Sequence, residues 1–92
     1  MKIKAIARLI CELVESRDWT SWKGEGITKC TYLTRGQVAI GIQFLAKHGY
    51  IKRDNNRSRG WWRRRKKFSF WKLLLGVPKT KLDMRTGKLK YA

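Results

Sequence analysis

The segment 57–67 holds the residues whose types and spacing are best suited to binding chemistry. Basic side chains neutralise phosphates and release counterions, and exposed aromatic rings stack on unpaired bases. The segment combines seven basic residues with two tryptophans, so it predicts a surface that contacts nucleic acid, chiefly through phosphate. These residues are Arg57, Arg59, Trp61, Trp62, Arg63, Arg64, Arg65, Lys66 and Lys67.

The charge of the whole chain points in the same direction. Its 92 residues include 23 Lys and Arg against 6 Asp and Glu, which gives a formal net charge of +17. A small folded chain with this imbalance repels itself and favours a polyanionic partner. Nucleic acid, an anionic membrane surface and an acidic protein are the three candidates. Disorder is not expected, because 42% of the residues are hydrophobic and 12% are aromatic.

The sequence does not show the residue spacing that is expected of a catalytic site or a metal site. The acidic residues show no paired spacing suited to acid–base work, and 24–26 lacks the residues that complete a phosphate-binding loop. Cys11, Cys30 and His48 do not make a four-ligand zinc site. We therefore expect no enzyme activity, no catalytic residue, no metal and no cofactor.

The two cysteines are predicted to be small apolar core residues in a reducing compartment, with a disulfide as the alternative. The N-terminus does not resemble a signal peptide, because Lys4, Arg8 and Glu12 interrupt its apolar residues. No segment is long and apolar enough to predict a membrane span. We therefore expect a cytoplasmic or nucleoid-associated protein that does not bind membranes.

Apolar periodicity and capping signals predict three helices ahead of this basic segment. Apolar residues at helical spacing predict a first helix over 3–16, followed by a connection over 18–26. A short second helix is expected over 27–32. Thr34 and Gln37 form a capping box that starts a third helix over 35–47, which Gly49 ends.

The rest of the chain predicts a basic β-hairpin and a tail. A strand over 50–53, a loop over 54–60 and a second strand over 61–73 are expected from residue types and alternation. The fold class is therefore α+β, with three helices followed by a long basic hairpin. We expect one nucleic-acid-binding domain over 1–76 and a basic, loosely ordered tail over 77–92.

The residues around the third helix resemble a known family. The run from Leu33 to Val38, followed by Ile42, Leu45, Gly49 and Ile51, looks like the recognition helix and first wing strand of winged helix-turn-helix proteins. It is similar to small phage, plasmid or viral regulators of transcription or DNA replication. The resemblance implies that the helix over 35–47 enters the major groove of duplex DNA, while the hairpin is a wing over 54–67 on phosphates or in the minor groove.

Several residues on and after the third helix are candidate contacts. Arg and Gln side chains can read guanine and adenine, and a glycine can admit a closely approaching backbone. For Gln37 the alternative is that it only completes the capping box. The candidates are Arg35, Gly36, Gln37, Gln43, Lys47 and Arg53.

Two other functions remain open at this point. The Arg and Trp cluster also suits RNA or single-stranded nucleic acid, with Trp61 and Trp62 as exposed stacking residues rather than hairpin core. Ile40 and Phe44 lie on the predicted outer face of the third helix, where they would suit an acidic polymerase or replisome partner. We expect a monomer or weak oligomer that assembles on DNA, because no long helix follows the hairpin to form a coiled coil.

Overall fold

The computed structural model describes residues 2–65 and 81–90. Over these ranges three helices and a small antiparallel sheet are present, so the predicted α+β class is confirmed. None of the helices in the described part of the chain combines the length and apolar character needed to cross a bilayer. The elements are α1 (Ile3–Ser16), β1 (Ser21–Lys23), α2 (Gly24–Cys30), α3 (Arg35–Lys47), β2 (Ile51–Arg53), β3 (Trp61–Arg64), β4 (Lys81–Leu82) and β5 (Leu89–Lys90).

Helix α1 has the bounds that its periodicity predicts and contributes one whole face to the core. Ile6, Leu9, Ile10, Leu13 and Val14 are all buried. Their spacing of three and four residues places them on one side of a helix, and burying that side stabilises the fold. Cys11 is also buried and has a free thiol, as the sequence predicts for an apolar core residue. Burial raises its pKa, which keeps the thiol protonated.

Helix α3 also begins and ends where its sequence signals predict. The Thr34 hydroxyl accepts a hydrogen bond from the Gln37 backbone N–H at 3.2 Å, and the Gln37 side chain accepts one from the Thr34 N–H at 3.0 Å. Gly49 follows the helix with a φ of 76°, a conformation that glycine adopts without steric cost. Val38, Ile42 and Leu45 bury the inner face.

The segment between α1 and α3 differs from the predicted connection and short helix. Ser21–Lys23 is a strand, with Trp22 buried in the core. A three-residue strand is too short to show alternation, so the sequence pattern missed it. Helix α2 occupies Gly24–Cys30 instead of 27–32, because Thr31 is already extended and its hydroxyl donates to the Ile27 carbonyl at 2.8 Å.

Strand β3 lies in the centre of a three-stranded antiparallel sheet with the order β1-β3-β2. Trp22 pairs with Trp62, and Arg53 pairs with Trp62 from the other side. The predicted strand over 50–53 is confirmed as Ile51–Arg53, and the second strand is described as Trp61–Arg64. The rest of that predicted strand, 66–73, lies outside the described residues.

The segment 81–90 differs from the loosely ordered tail that the sequence predicts. Strands β4 and β5 form an antiparallel hairpin, and Leu89 is buried against the core. The Tyr32 backbone N–H donates to the Leu89 carbonyl at 3.3 Å. Alternation over two-residue strands is invisible in sequence, and only the burial of Leu89 reveals why this polar segment is ordered.

Candidate nucleic-acid interface

One face of the three-stranded sheet collects basic side chains around a tryptophan. Along an antiparallel sheet, directly paired residues lie on the same face. Trp61 pairs with Lys23, and Arg63 pairs with both Ser21 and Lys52. We call Lys23, Lys52, Trp61 and Arg63 the basic sheet face.

The two adjacent tryptophans lie on opposite faces of the sheet. Trp62 packs against the core, next to Trp22. Trp61 is half-buried on the basic sheet face, where the Arg57 guanidinium lies 4.4 Å from its ring centroid. The sequence left open whether these residues form core or contact surface. The structure places one on each side.

The other arginines of the segment 57–67 do not share one surface. Arg64 points to the helix side of the sheet, where its Nη2 lies 3.8 Å from Glu15 Oε1. Arg65 Nη1 donates to the Gly49 carbonyl at 3.2 Å, at the end of α3. Arg59 is exposed in the loop, while Lys66 and Lys67 lie outside the described residues. The described part of the predicted basic surface is therefore divided, because strand alternation turns Arg64 to the helix side and Arg65 is bound at the end of α3.

Arg53 also lies on the inner side of the sheet. Its guanidinium carbon is 5.7 Å from the Trp62 ring centroid, although the residue as a whole is exposed. This contact places the cation at the rim of the core. At this distance the guanidinium is within cation–π range of the ring, an interaction that contributes about 0.5–1 kcal/mol at exposed sites.

Asp54 holds the base of the loop between β2 and β3. Its Oδ2 accepts a hydrogen bond from the Ser21 hydroxyl at 2.6 Å, and its Oδ1 accepts one from the Asn56 backbone N–H at 3.1 Å. The Ser21 hydrogen bond is the main cause that lowers the pKa of this carboxyl, and Arg57 and Arg63 lower it further. The ionised carboxylate therefore fixes the loop and orients Arg57.

Helix α3 presents a mixed outer face. Arg35, Gly36, Gln43 and Lys47 are all exposed. Gln37 is half-buried, and its side-chain oxygen is used in the capping box. A Cβ added to Gly36 would have no neighbour nearer than the Thr34 hydroxyl at 3.9 Å. Packing within the described part of the chain therefore does not require a glycine at this position.

A groove of about 500 Å³ joins the outer face of α3 to the sheet. Arg35 and Gln43 line it from α3, and Lys23 and Trp62 line it from the strands. Ile42 contributes apolar surface to its floor. The predicted contact residues Arg35 and Gln43 are therefore brought next to Trp62 and to a lysine that the sequence analysis did not select.

The apolar pair on α3 is less exposed than the sequence suggests. Phe44 is half-buried, packs against the core and lies with its ring centroid 4.5 Å from that of His48. Ile40 is 46% exposed. An acidic partner that binds this helix would therefore contact Ile40 and little of Phe44.

Lys23 and Lys52 are the residues that sequence reasoning missed. Both lie outside the dense basic run, and they reach it only through strand pairing with β3. No local signal marks Lys23, because a three-residue strand is too short to show alternation and its pairing with β3 joins residues that are distant in sequence.

Comparison with family models, with curated proteins and with solved structures found no match to this chain.

Proposed function

We propose that this protein binds duplex DNA, with α3 in the major groove and the basic sheet face on phosphates. The observation that carries the proposal is the groove in which Arg35 and Gln43 of α3 lie beside Lys23, the one residue of the basic sheet face that lines it. A duplex presents base edges and phosphates side by side. A binding surface for it needs hydrogen-bonding side chains next to cations in the same way.

The order of elements supports the same proposal. Helices α2 and α3 are joined by a short turn and followed by an antiparallel hairpin, an order that is compatible with a helix-turn-helix unit followed by a wing. In this arrangement the second helix reads the major groove with residues near its N-terminus. Arg35 and Gly36 lie in the first turn of α3, and both are exposed.

Within this proposal, the residues divide into two roles. Arg35 and Gln43 have side chains that can discriminate base edges, so they would carry sequence preference. Lys23, Lys52 and Arg63 would bind phosphates and contribute affinity without sequence preference. Gln37 contributes mainly to the helix start, because its side chain completes the capping box.

The proposal implies a measurable salt dependence. The basic sheet face supplies three cations, and Arg57 and Arg59 supply two more from the adjoining loop. Neutralising five duplex phosphates with these residues would contribute about −4.5 to the slope of log K against log salt. A mode of DNA binding that leaves these five side chains in solvent would give a much shallower slope of log K against log salt.

The experiment compares one length of random duplex DNA, single-stranded DNA and RNA across a salt series. Fluorescence anisotropy of labelled oligonucleotides gives both the rank order and the slope. We expect the duplex to bind most tightly at every salt concentration. Tighter binding of single strands at every salt concentration would contradict the proposal.

A second candidate is a binder of single-stranded nucleic acid, which the position of Trp61 favours. This ring lies on the basic sheet face among cations, where a base could stack once Arg57 moves aside. Trp61→Ala would then weaken single-strand binding by about tenfold, with duplex binding nearly unchanged. A larger loss of duplex binding than of single-strand binding in Trp61→Ala would favour duplex DNA as the ligand.

A further inference from the structure

The hairpin formed by β4 and β5 presents an exposed apolar residue within a basic segment. Met84 lies in its turn and is 87% exposed, and Leu82, on strand β4, is 53% exposed. The segment 81–90 contains a single carboxylate, Asp83. Its basic residues are Lys81, Arg85, Lys88 and Lys90.

The turn that carries Met84 is held by several hydrogen bonds. The Arg85 backbone N–H donates to Asp83 Oδ1 at 2.9 Å, and the Gly87 N–H donates to the Asp83 carbonyl at 2.7 Å. Gly87 has a φ of 71°, which lets the chain turn back into β5. Because the turn is already ordered, little backbone entropy is lost when its side chain binds.

The one carboxylate of the hairpin is used inside the molecule. The Tyr32 hydroxyl donates to Asp83 Oδ2 at 2.5 Å, and Lys90 Nζ lies 3.6 Å from the same oxygen. Asp83 therefore anchors the hairpin to Tyr32, the second residue after α2. Lys88 Nζ and Lys90 Nζ lie 5.6 and 5.7 Å from the Tyr32 ring centroid, and Lys81 and Arg85 are exposed, so the hairpin is basic and complements a polyanion.

The hairpin lies at the opposite end of α2 from the basic sheet face. Lys23, the last residue of β1, precedes α2 and pairs with Trp61. Thr31, which directly follows α2, bridges to Leu89 of β5. Two basic hairpins therefore flank the helix-turn-helix unit, one at each end of its first helix.

We propose that this tail hairpin wedges Met84 between base pairs of duplex DNA and bends the duplex, while its basic residues contact the neighbouring phosphates. The inference rests on the proposed duplex binding. Apolar side chains flanked by cations can partly unstack a base step from the minor groove and kink the helix by about 20–90°. Flexible pyrimidine–purine steps are the favoured places for such a kink.

The experiment measures energy transfer between dyes at the two ends of a short duplex. The full chain is compared with Met84→Ser, which removes the apolar wedge, and with Met84→Leu, which keeps one. Because Met84 is almost fully exposed, both variants should unfold at the same temperature as the native chain. Arg85→Gln tests the phosphate contacts of the same turn.

We expect the native chain and Met84→Leu to raise the transfer efficiency and Met84→Ser to leave it near that of free DNA. The increase should be larger for a duplex with central TA steps than for an A-tract duplex. Arg85→Gln should lower the salt slope by about 0.9. Duplex binding with no Met84-dependent bend would overturn the inference and leave the proposed function standing.

Absence of duplex binding by the native chain would overturn both proposals. A parallel arm uses vesicles with anionic headgroups, because a basic hairpin with an apolar tip also suits a membrane surface. We expect no Met84-dependent vesicle binding. Vesicle binding that Met84→Ser abolishes, together with an unchanged DNA bend, would assign the tip to a membrane and overturn the inference.

Discussion

At the scale of single residues, neighbours in sequence have different environments because strand alternation separates them. Arg63 lies on the basic sheet face, while the adjacent Arg64 points towards Glu15 of α1. Replacing Arg63 should therefore affect binding, whereas replacing Arg64 should affect stability. The same reasoning distinguishes Trp61 from Trp62.

The matched pair Arg63→Gln and Arg64→Gln tests this difference. Under the proposed function, Arg63→Gln should weaken binding to all duplex sequences alike and reduce the salt slope by about 0.9. Arg64→Gln should leave the slope unchanged and lower the free energy of unfolding by about 1 kcal/mol or less, because its ion pair is partly exposed. Equal slopes for the two variants would contradict the assigned faces.

A second residue-scale prediction concerns base reading by α3. Arg35→Ala should reduce the ratio of affinities for a selected duplex site and a random duplex, because a bidentate contact to guanine contributes about 1–3 kcal/mol of discrimination. Selection of binding sites from a random library supplies the site. The control is Lys52→Gln, which should lower both affinities by the same factor.

At the scale of elements, the crossing of α1 and α3 depends on a glycine. A Cβ on Gly41 would lie 2.6 Å from Ile10 Cδ1 and 2.8 Å from Ile6 Cγ2. The two helices can approach this closely only without a side chain there. Gly36, in the same helix, has open space around it.

The variants Gly41→Ala and Gly36→Ala should therefore change stability in opposite directions. Gly41→Ala forces the helices apart and should lower the free energy of unfolding by about 1–3 kcal/mol. Gly36→Ala should raise it by up to about 1 kcal/mol, because alanine favours the helix. Urea denaturation measures both, and stabilisation by Gly41→Ala would contradict the described helix crossing.

The tail hairpin gives a prediction of pH dependence. The hydrogen bond from Tyr32 and that from the Arg85 N–H lower the pKa of Asp83 to about 2. A folded-state pKa below the ordinary value means that the ionised carboxylate stabilises the hairpin above about pH 4. That stabilisation should be lost as the pH falls towards 2.

The variant Tyr32→Phe removes the donor that contributes most to this effect. The pKa of Asp83 should then rise towards its ordinary value, and the hairpin should lose its order at a higher pH than in the native chain. Carboxyl carbon chemical shifts give the pKa, and the amide signal of Leu89 reports the order. An unchanged midpoint in Tyr32→Phe would show that the hydroxyl does not hold Asp83.

At the scale of the whole molecule, the sequence predicted the elements with strong local signals. The bounds of α1 and α3 follow from long apolar periodicity, the capping box at Thr34 and the glycine stop at Gly49. Strand β1 and the hairpin over 81–90 were missed, because each is stabilised by contacts distant in sequence. Trp22 is buried beside Trp62, and Leu89 is held beside Thr31.

The candidate site was predictable in its charge and not in its geometry. Composition identifies the basic run, but only the β1-β3-β2 order adds Lys23 and Lys52 to it and removes Arg64. These assignments depend on which strand lies in the centre of the sheet. No local pattern carries that information.

If the basic sheet face binds duplex phosphates, the salt dependence of binding should change in a triple variant of that face. Lys23→Gln, Lys52→Gln and Arg63→Gln are combined, and binding to a random duplex is measured from low to high salt. We expect the slope of log K against log salt to become shallower by about 2.7, because three phosphate contacts are lost. An unchanged slope in a triple variant that remains folded would contradict it.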